Sequence, residues 1–113
     1  MLPVSDNLSA ARISATSLQA SANNLANLNT EGFEAQQVTQ STGPGGEGLT
    51  AHVSPTKAPA PVILRDGQLR AQSNTEVTRE AVTHMTAAAA FKSNMGVMQV
   101  QDSLTEAVLD VVA

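Results

Sequence analysis

The sequence predicts a mainly α-helical protein in which two long helices flank a short Gly/Pro-rich segment that contains a small β-hairpin. Four of the five prolines and six of the seven glycines lie between positions 32 and 67. Because proline and glycine interrupt regular structure, the long stretches that they avoid, 5–29 and 75–111, are predicted helices. Alanine dominates the apolar residues, and the chain has two phenylalanines but no tyrosine or tryptophan. Such a chain suits closely packed helices but lacks bulk for a free-standing core.

The first helical stretch has one apolar face. Its apolar residues follow a 3-4-3-4-3 spacing, which keeps them on one side of a helix. They are Leu8, Ala11, Ala15, Leu18, Ala22 and Leu25.

The second helical stretch has two apolar faces. Ser73 and Glu76 fit a capping box before it, with Asn74 and Thr75 as alternative caps. At 100° per residue, one side carries Val77, Ala81, Met85, Ala88, Phe91, Met95 and Met98. Roughly the opposite side carries Val97, Val100, Leu104, Val108 and Val111. Either the helix bends near Gly96 or its two halves contact different neighbours. The second alternative is favoured, since one glycine costs only about 1 kcal/mol and need not kink a helix.

The middle segment, 34–72, is predicted to be flexible apart from one hairpin. Val62–Arg65 and Gln68–Ala71 are the predicted strands, and Asp66-Gly67 suits a two-residue type I′ turn. A third strand is predicted at 48–53. The chain therefore divides into an amino-terminal helix segment (1–33), this middle segment, and a carboxyl-terminal helix segment (73–113).

Composition and motif searches argue against several classes of function. The net charge of −4 disfavours nucleic-acid binding. Disulfide and thiolate chemistry are excluded by the absence of cysteine. The amino terminus lacks the features of a cleaved signal, and no apolar run is long enough to span a membrane. His52 and His84 lie in different segments, so a metal site is not expected. Asp102, Glu106 and Asp110 are interpreted as a solvated or partner-facing stripe, and no catalytic or cofactor-binding constellation is found.

The string SANNLANLNTEGF, residues 21–33, crowds asparagines at a predicted helix end, where they suit a left-handed backbone and local hydrogen bonds. It resembles the signature of the bacterial flagellar axial proteins, the rod, hook and hook-associated subunits. The matching residues are Asn23, Asn24, Leu25, Ala26, Asn27, Thr30, Gly32 and Phe33. The carboxyl-terminal stretch is similar to that family's terminal helix, with Phe91 and Asn94 at its aromatic-x-x-Asn step. Ala88 to Ala90 and His84 stand where the family often has other residues.

The resemblance implies a fold in which the terminal helices pair as an antiparallel coiled coil. The helix-pairing residues would be Leu8, Ala11, Ala15, Leu18, Ala22, Ala88, Phe91, Met95 and Met98. The second apolar face, from Val97 to Val111, would meet other subunits. The short centre is most like that of a small proximal rod protein. Alternatives are a hook or hook-associated subunit or, from another class, a secreted coiled-coil adaptor or effector.

The resemblance also implies a structural function in the flagellar basal body. Copies of the protein and other rod proteins would polymerise helically into a hollow drive shaft that transmits torque and passes exported subunits. The flagellar type III apparatus would export the chain without signal cleavage. No cofactor, nucleic acid or membrane insertion is expected. The isolated chain is expected to be loosely ordered until it assembles.

Overall fold

The structure, a computed structural model, describes residues 4–43, 45 and 48–112. Two helices, α1 (Val4–Ala26) and α2 (Val77–Val112), flank four short strands. The strands are β1 (Gln36–Thr42), β2 (Leu49–Pro55), β3 (Val62–Arg65) and β4 (Gln68–Ala71). They form two separate antiparallel sheets of two strands each, β1–β2 and β3–β4. The described fold is therefore mixed helix and strand.

The prediction of a mainly α protein built on a long antiparallel coiled coil is wrong. α1 has 23 residues and α2 has 36, so a long part of α2 has no α1 residue beside it. The face of α1 that is buried carries polar Asn7, Ser14 and Ser21 as well as alanine. Leu8 and Leu25, two leucines of the predicted apolar stripe, are 39% and 36% exposed.

The physical reason for this error is the low contrast of an alanine-rich helix. Alanine occurs on several sides of α1, so the spacing of apolar residues does not define one buried face. Hydrogen-bond partners and the β1–β2 hairpin determine which side of α1 is covered. Ile13, which lies outside the predicted stripe, is buried and lines a groove with Gln40 of β1 and Ala87 of α2.

The β1–β2 hairpin lies along α1 as a third layer. Its strands pair from Gln36 opposite Pro55 to Thr42 opposite Leu49. A Cβ atom built on Gly48, next to the first residue of β2, would stand 3.5 Å from Ser9 Oγ near the start of α1. The predicted strand 48–53 thus exists, but it pairs with β1. β1 itself was not predicted, because its sequence QQVTQST has one apolar residue and no apolar alternation.

The β3–β4 hairpin is confirmed with the predicted strand limits. Asp66 and Gly67 both have positive φ, +52° and +77°, as a type I′ turn requires. The chemistry of a two-residue turn is local, which explains why the sequence was sufficient here.

The molecule is elongated and its core is small. Its radius of gyration is 19.7 Å, against about 13 Å for a compact domain of this length. Among the described residues, the buried apolar side chains are four alanines and one isoleucine: Ala11, Ile13, Ala20, Ala35 and Ala87. α2 continues as one helix through Gly96. Burial of apolar area therefore contributes little stability, and buried polar contacts carry much of the structure's specificity.

Candidate functional site

The asparagine string lies where the end of α1 meets β1 and the start of α2. Asn24, only 1% exposed, contacts both neighbouring elements. Its Nδ2 group donates to the carbonyl oxygen of Gln36 (2.8 Å) and to Oε1 of Glu80 (2.9 Å). Its Oδ1 atom accepts a hydrogen bond from the backbone N–H of Gln36 (2.7 Å). Asn24 therefore pairs with β1 as a neighbouring strand would, and at the same time joins α1 to α2.

The next motif residues close the end of α1 and turn the chain. Asn27 Nδ2 donates to the carbonyl oxygen of Asn23 (2.9 Å). Thr30 Oγ1 donates to Asn27 Oδ1 (3.1 Å), and the Phe33 N–H donates to the Thr30 carbonyl (3.3 Å). Gly32 has φ +71°, a conformation that disfavours side chains, and a hydrogen bond of 3.0 Å from its N–H to Ala71 joins the turn to β4.

Glu80 is the residue of α2 on which two polar side chains of α1 converge. Besides the Asn24 contact, Ser21 Oγ donates to the backbone carbonyl of Glu80 at 3.1 Å. Ser21 is 1% exposed and Glu80 is 5% exposed. Only Asn24 donates to the buried carboxylate itself, which needs a donor because an unpaired polar group is costly away from water. These contacts fix the position of α1 relative to α2 at this end.

Asn74, just before α2, is a second amide that joins several segments. Its Oδ1 atom accepts a hydrogen bond from the Ala35 N–H, and its Nδ2 group donates to the carbonyls of Thr56 (3.2 Å) and Ala58 (3.1 Å). Its own N–H donates to the Phe33 carbonyl (3.2 Å). The sequence suggested Asn74 only as an alternative helix cap. In the structure it connects the chain before β1 to the link between the two sheets.

A third polar contact holds the opposite end of the helix pair. Asn7 Nδ2 donates to Gln101 Oε1 at 3.0 Å, and both residues are buried. Sequence reasoning missed Asn7, Ser14, Ser21, Glu80 and Gln101 as contact residues. One signal was present: Asn7, Ser14 and Ser21 repeat every seven residues, the interval that returns to nearly the same helix face.

Most of the predicted assembly residues lie near or at the surface. Of the motif, Asn24 is buried, Asn27 and Phe33 are half-buried, and the others are exposed: Asn23, Leu25, Ala26, Thr30 and Gly32. Of the helix-pairing set, Ala11 is buried and five are half-buried: Ala15, Leu18, Ala88, Phe91 and Met98. Leu8, Ala22 and Met95 are exposed, as is the whole second apolar face: Val97, Val100, Leu104, Val108 and Val111.

Charged contacts around the site are peripheral. Glu31, in the turn after α1, forms ion pairs with Arg65 of β3 and Arg70 of β4. Both arginine side chains are about half exposed, so these pairs orient the hairpin with little gain in stability.

The polar groups of the site line a pocket between α1, β1 and the start of α2. A pocket of about 190 Å³ lies beside Ser21, Asn74 and Glu80, with Arg79 and Thr83 also in its wall. Its wall carries amide and hydroxyl groups, the carboxyl groups of Glu76 and Glu80, and the guanidinium group of Arg79. None of the hydroxyl groups in this wall is hydrogen-bonded to a side chain that could act as its base. No group of three potential metal ligands occurs in the described part of the chain.

Comparison with protein families and curated proteins gives no information on the function of the chain. No protein-family model matches the chain, and no curated protein is significantly similar to it. Among the residues described, no helix is both long and apolar enough to cross a membrane.

Proposed function

We propose that the protein is a structural subunit of the bacterial flagellar basal-body rod, most like a small proximal rod protein. Copies of it and other rod proteins would polymerise helically into the hollow shaft that carries torque from motor to hook. The central channel would pass later subunits, and the flagellar type III apparatus would deliver this chain without signal cleavage.

The observation that carries this proposal is the uninterrupted motif from Asn23 to Phe33. Its residues do more than cap a helix: Asn24 is a buried contact among α1, β1 and α2, and Gly32 supplies the turn that receives β4. A chance run of asparagines would be expected to remain a solvated face. The coupling of this string to both halves of the chain supports a family signature with a structural purpose.

The distribution of apolar surface also supports an assembly subunit. The described core consists almost entirely of alanine, whereas large aliphatic residues of α2 and of β3–β4 are exposed. Exposed apolar patches of this kind mark interaction sites. When two different surfaces of identical subunits bind each other, the copies form a ring if the rotation between them closes. If the rotation does not close, they form an open helical filament.

The amide contacts suit a component that carries mechanical load. Asn24 and Asn74 each bind more than one segment, so sliding of one segment past another would break several hydrogen bonds together. An alanine-rich helix pair without these contacts would resist such sliding poorly.

The test combines microscopy with genetics in the bacterium from which the gene comes. Deletion of the gene is expected to abolish swimming, and an epitope-tagged copy is expected to co-purify with basal bodies and to be labelled in their rod. Complementation by Asn29→Asp, at an exposed position outside the matching motif residues, should restore swimming, whereas Asn24→Asp, with the same change of charge at a buried position, should not. Normal basal bodies and swimming in the deletion strain would overturn the proposal. Discrete soluble complexes without basal-body association would favour a secreted adaptor instead.

A further inference from the structure

The outer edge of β1 is paired at one position by a side chain instead of a strand. The Thr56 N–H donates to the Ala35 carbonyl (2.7 Å), so the odd-numbered residues of β1 bond β2. The even-numbered residues therefore point their N–H and C=O groups away from β2. At Gln36, the first of them, both groups are bound by the Asn24 amide.

Beyond Gln36 the edge of β1 is open. The backbone N–H and C=O groups of Val38 and Gln40 have no hydrogen-bond partner among the described residues. Gln40 lines a groove of about 330 Å³ that separates this strand from α2. On the α2 side of the groove Val82 is 59% exposed, and Thr86 is exposed as well. A strand added to this edge would complete the main-chain hydrogen bonds of β1 beside these two residues.

The even-numbered side chains of β1 face the helices. Val38 is the one half-buried residue of this strand, and Gln36 Oε1 accepts a hydrogen bond of 3.5 Å from Asn23 of α1. Since side chains alternate along a strand, the odd-numbered ones, such as Thr39, face the opposite way. The strand thus defines on which face an added neighbour would place each of its own side chains.

The β3–β4 hairpin has a free edge of the same kind. All of its strand residues are exposed, so no helix covers either of its faces. The Ala71 carbonyl in β4 accepts a hydrogen bond from Gly32, outside the hairpin, so Ala71 and the opposite residue, Val62, both bond outward. Leu64, two residues further along β3, bonds outward for the same reason. The N–H and C=O groups of Val62 and Leu64 have no hydrogen-bond partner in the described part of the chain.

Antiparallel pairing of the two free edges determines where the side chains go. The outward-bonding residues of both strands come to lie opposite one another, and opposite residues have their side chains on the same face. Val62 and Leu64 would therefore face the helices, as Val38 does. Leu69, which is opposite Leu64 in the hairpin, shares that face. The arrangement that completes the main-chain hydrogen bonds thus also turns the apolar face of the hairpin towards Val82 of α2.

We propose that the free edge of β3 in one copy pairs antiparallel with the free edge of β1 in a neighbouring copy, in the groove beside α2. The inference rests on the proposed function and specifies two surfaces that successive subunits use. A neighbouring copy is needed because the hairpin of the same copy is tied to the turn after α1, through the Gly32–Ala71 hydrogen bond and the ion pairs of Glu31. Within one described chain the two sheets are separate.

The choice of β3 among the described strands follows from exposure. The β1–β2 hairpin has half-buried residues and lies on α1, so it would bring its own helix into the groove. The β3–β4 hairpin carries no helix on either face. Two residues with one N–H and one C=O each allow four hydrogen bonds, a contact much smaller than the roughly 800 Å² per partner of a stable interface. Isolated pairs of copies should therefore associate weakly.

Disulfide trapping can test this contact directly, because the natural chain has no cysteine. When Leu64 lies opposite Val38, Thr39 lies opposite Ile63 in a non-hydrogen-bonded pair, whose Cα atoms are about 4.5 Å apart, within disulfide range. Full-length Thr39→Cys and Ile63→Cys chains, one carrying a tag, are mixed and oxidised at increasing concentration. The control replaces Thr39→Cys by His52→Cys, since His52 is opposite Thr39 but one strand, about 5 Å, further from the added strand. We expect at least tenfold more mixed disulfide than in the control.

Proline substitutions show whether the main-chain edge is responsible. Gln40→Pro removes an outward N–H that β2 does not use, and should reduce the yield between Thr39→Cys and Ile63→Cys chains to the control level. Ala51→Pro is the matched control, because Ala51 is opposite Gln40 on β2 and also bonds outward, at the edge that the contact does not use. It should leave the yield unchanged. Circular dichroism checks that each variant keeps its fold.

A yield at the control level, or equal yields with Gln40→Pro and Ala51→Pro in folded variants, would overturn the edge pairing. If either proline variant fails to fold, the comparison of Thr39→Cys with His52→Cys decides alone. An intramolecular disulfide in the dilute Thr39→Cys/Ile63→Cys double variant would also overturn the contact between copies. Control-level trapping of a protein that is found in basal bodies would reject the contact and leave the proposed function standing. Strong trapping of a protein absent from basal bodies would reject the rod function and retain the contact.

Discussion

Replacement of Asn24 by aspartate is the sharpest test of the three-element contact at the end of α1. The two side chains have nearly the same shape, so the change introduces no cavity. It converts the Nδ2 donor, which binds Gln36 and Glu80, into an oxygen that faces two other oxygens. Asn29→Asp is the matched control, since it makes the same change of charge at an exposed position in the turn after α1.

The size of the effect follows from the 2.9 Å distance between Asn24 Nδ2 and Glu80 Oε1. Two ionised carboxylates at that separation would repel by about 6 kcal/mol at an effective dielectric constant of 20. Protonation of a carboxyl group of ordinary acidity costs about 4 kcal/mol at pH 7. Because this cost is smaller than the repulsion, the folded variant is expected to bind one proton at this pair of carboxyl groups. Loss of one net hydrogen bond adds about 1 kcal/mol. The expected destabilisation is about 5 kcal/mol at pH 7.

The sign of the pH dependence distinguishes this mechanism from general damage. The folded variant binds one proton more than the unfolded chain, so its stability decreases as pH rises. Near pH 4 the proton costs little, and the deficit should shrink to about 1 kcal/mol.

The assay follows the helical circular dichroism signal while the solvent is changed from urea to sucrose, an uncharged osmolyte that favours the compact state of a weakly stable chain at both pH values. Asn24→Asp should require much more osmolyte than the wild type at pH 7 and only slightly more at pH 4. Asn29→Asp should follow the wild type at both pH values. Equal shifts for the two variants, or a shift of Asn24→Asp that does not depend on pH, would refute the buried contact.

Four further changes test other parts of the structure. Gly96→Ala should stabilise α2 by about 0.5–1 kcal/mol, because a Cβ there meets no atom within 4 Å, and a higher osmolyte requirement would contradict this. Gly67→Ala should cost about 1 kcal/mol at φ +77° and speed amide exchange in β3–β4 without affecting α2. Glu31→Gln should cost less than about 1 kcal/mol, a difference that high salt removes, since its arginine partners are half exposed. Leu25→Asp, at a position 36% exposed, should keep the helical signal but reduce pelleting of assembled protein; unchanged pelleting would remove Leu25 from the assembly surface.

The sequence was sufficient where structure depends on local chemistry. Both long helices occur close to the predicted limits because glycine and proline confine them. Asp66-Gly67 specifies its hairpin through two positive φ angles. At the end of α1 the expected local hydrogen bond occurs, from Asn27 Nδ2 to the Asn23 carbonyl, but no described asparagine has a left-handed backbone, which is adopted by Gly32 instead.

The sequence was insufficient where partners are far apart in the chain. Asn7 and Gln101 are 94 residues apart, and Asn24 and Glu80 are 56 apart, so no local pattern shows that these polar groups are buried. β1 was missed for a related reason: it is held by backbone pairing with β2 and by Asn24, not by an apolar face. With these contacts unknown, alanine-rich helices suggested a coiled coil, and the second sheet was not foreseen.

The buried hydrogen bonds at the two ends of the α1–α2 pair have a consequence for the dimensions of the molecule. Surfaces of alanine are nearly uniform, so one helix could shift along the other by a turn, about 5 Å, at small cost. Asn7–Gln101 and Asn24–Glu80 can form together in only one alignment. Every copy therefore has the same end-to-end length, and in the filament that we propose this would keep the pitch constant over many copies.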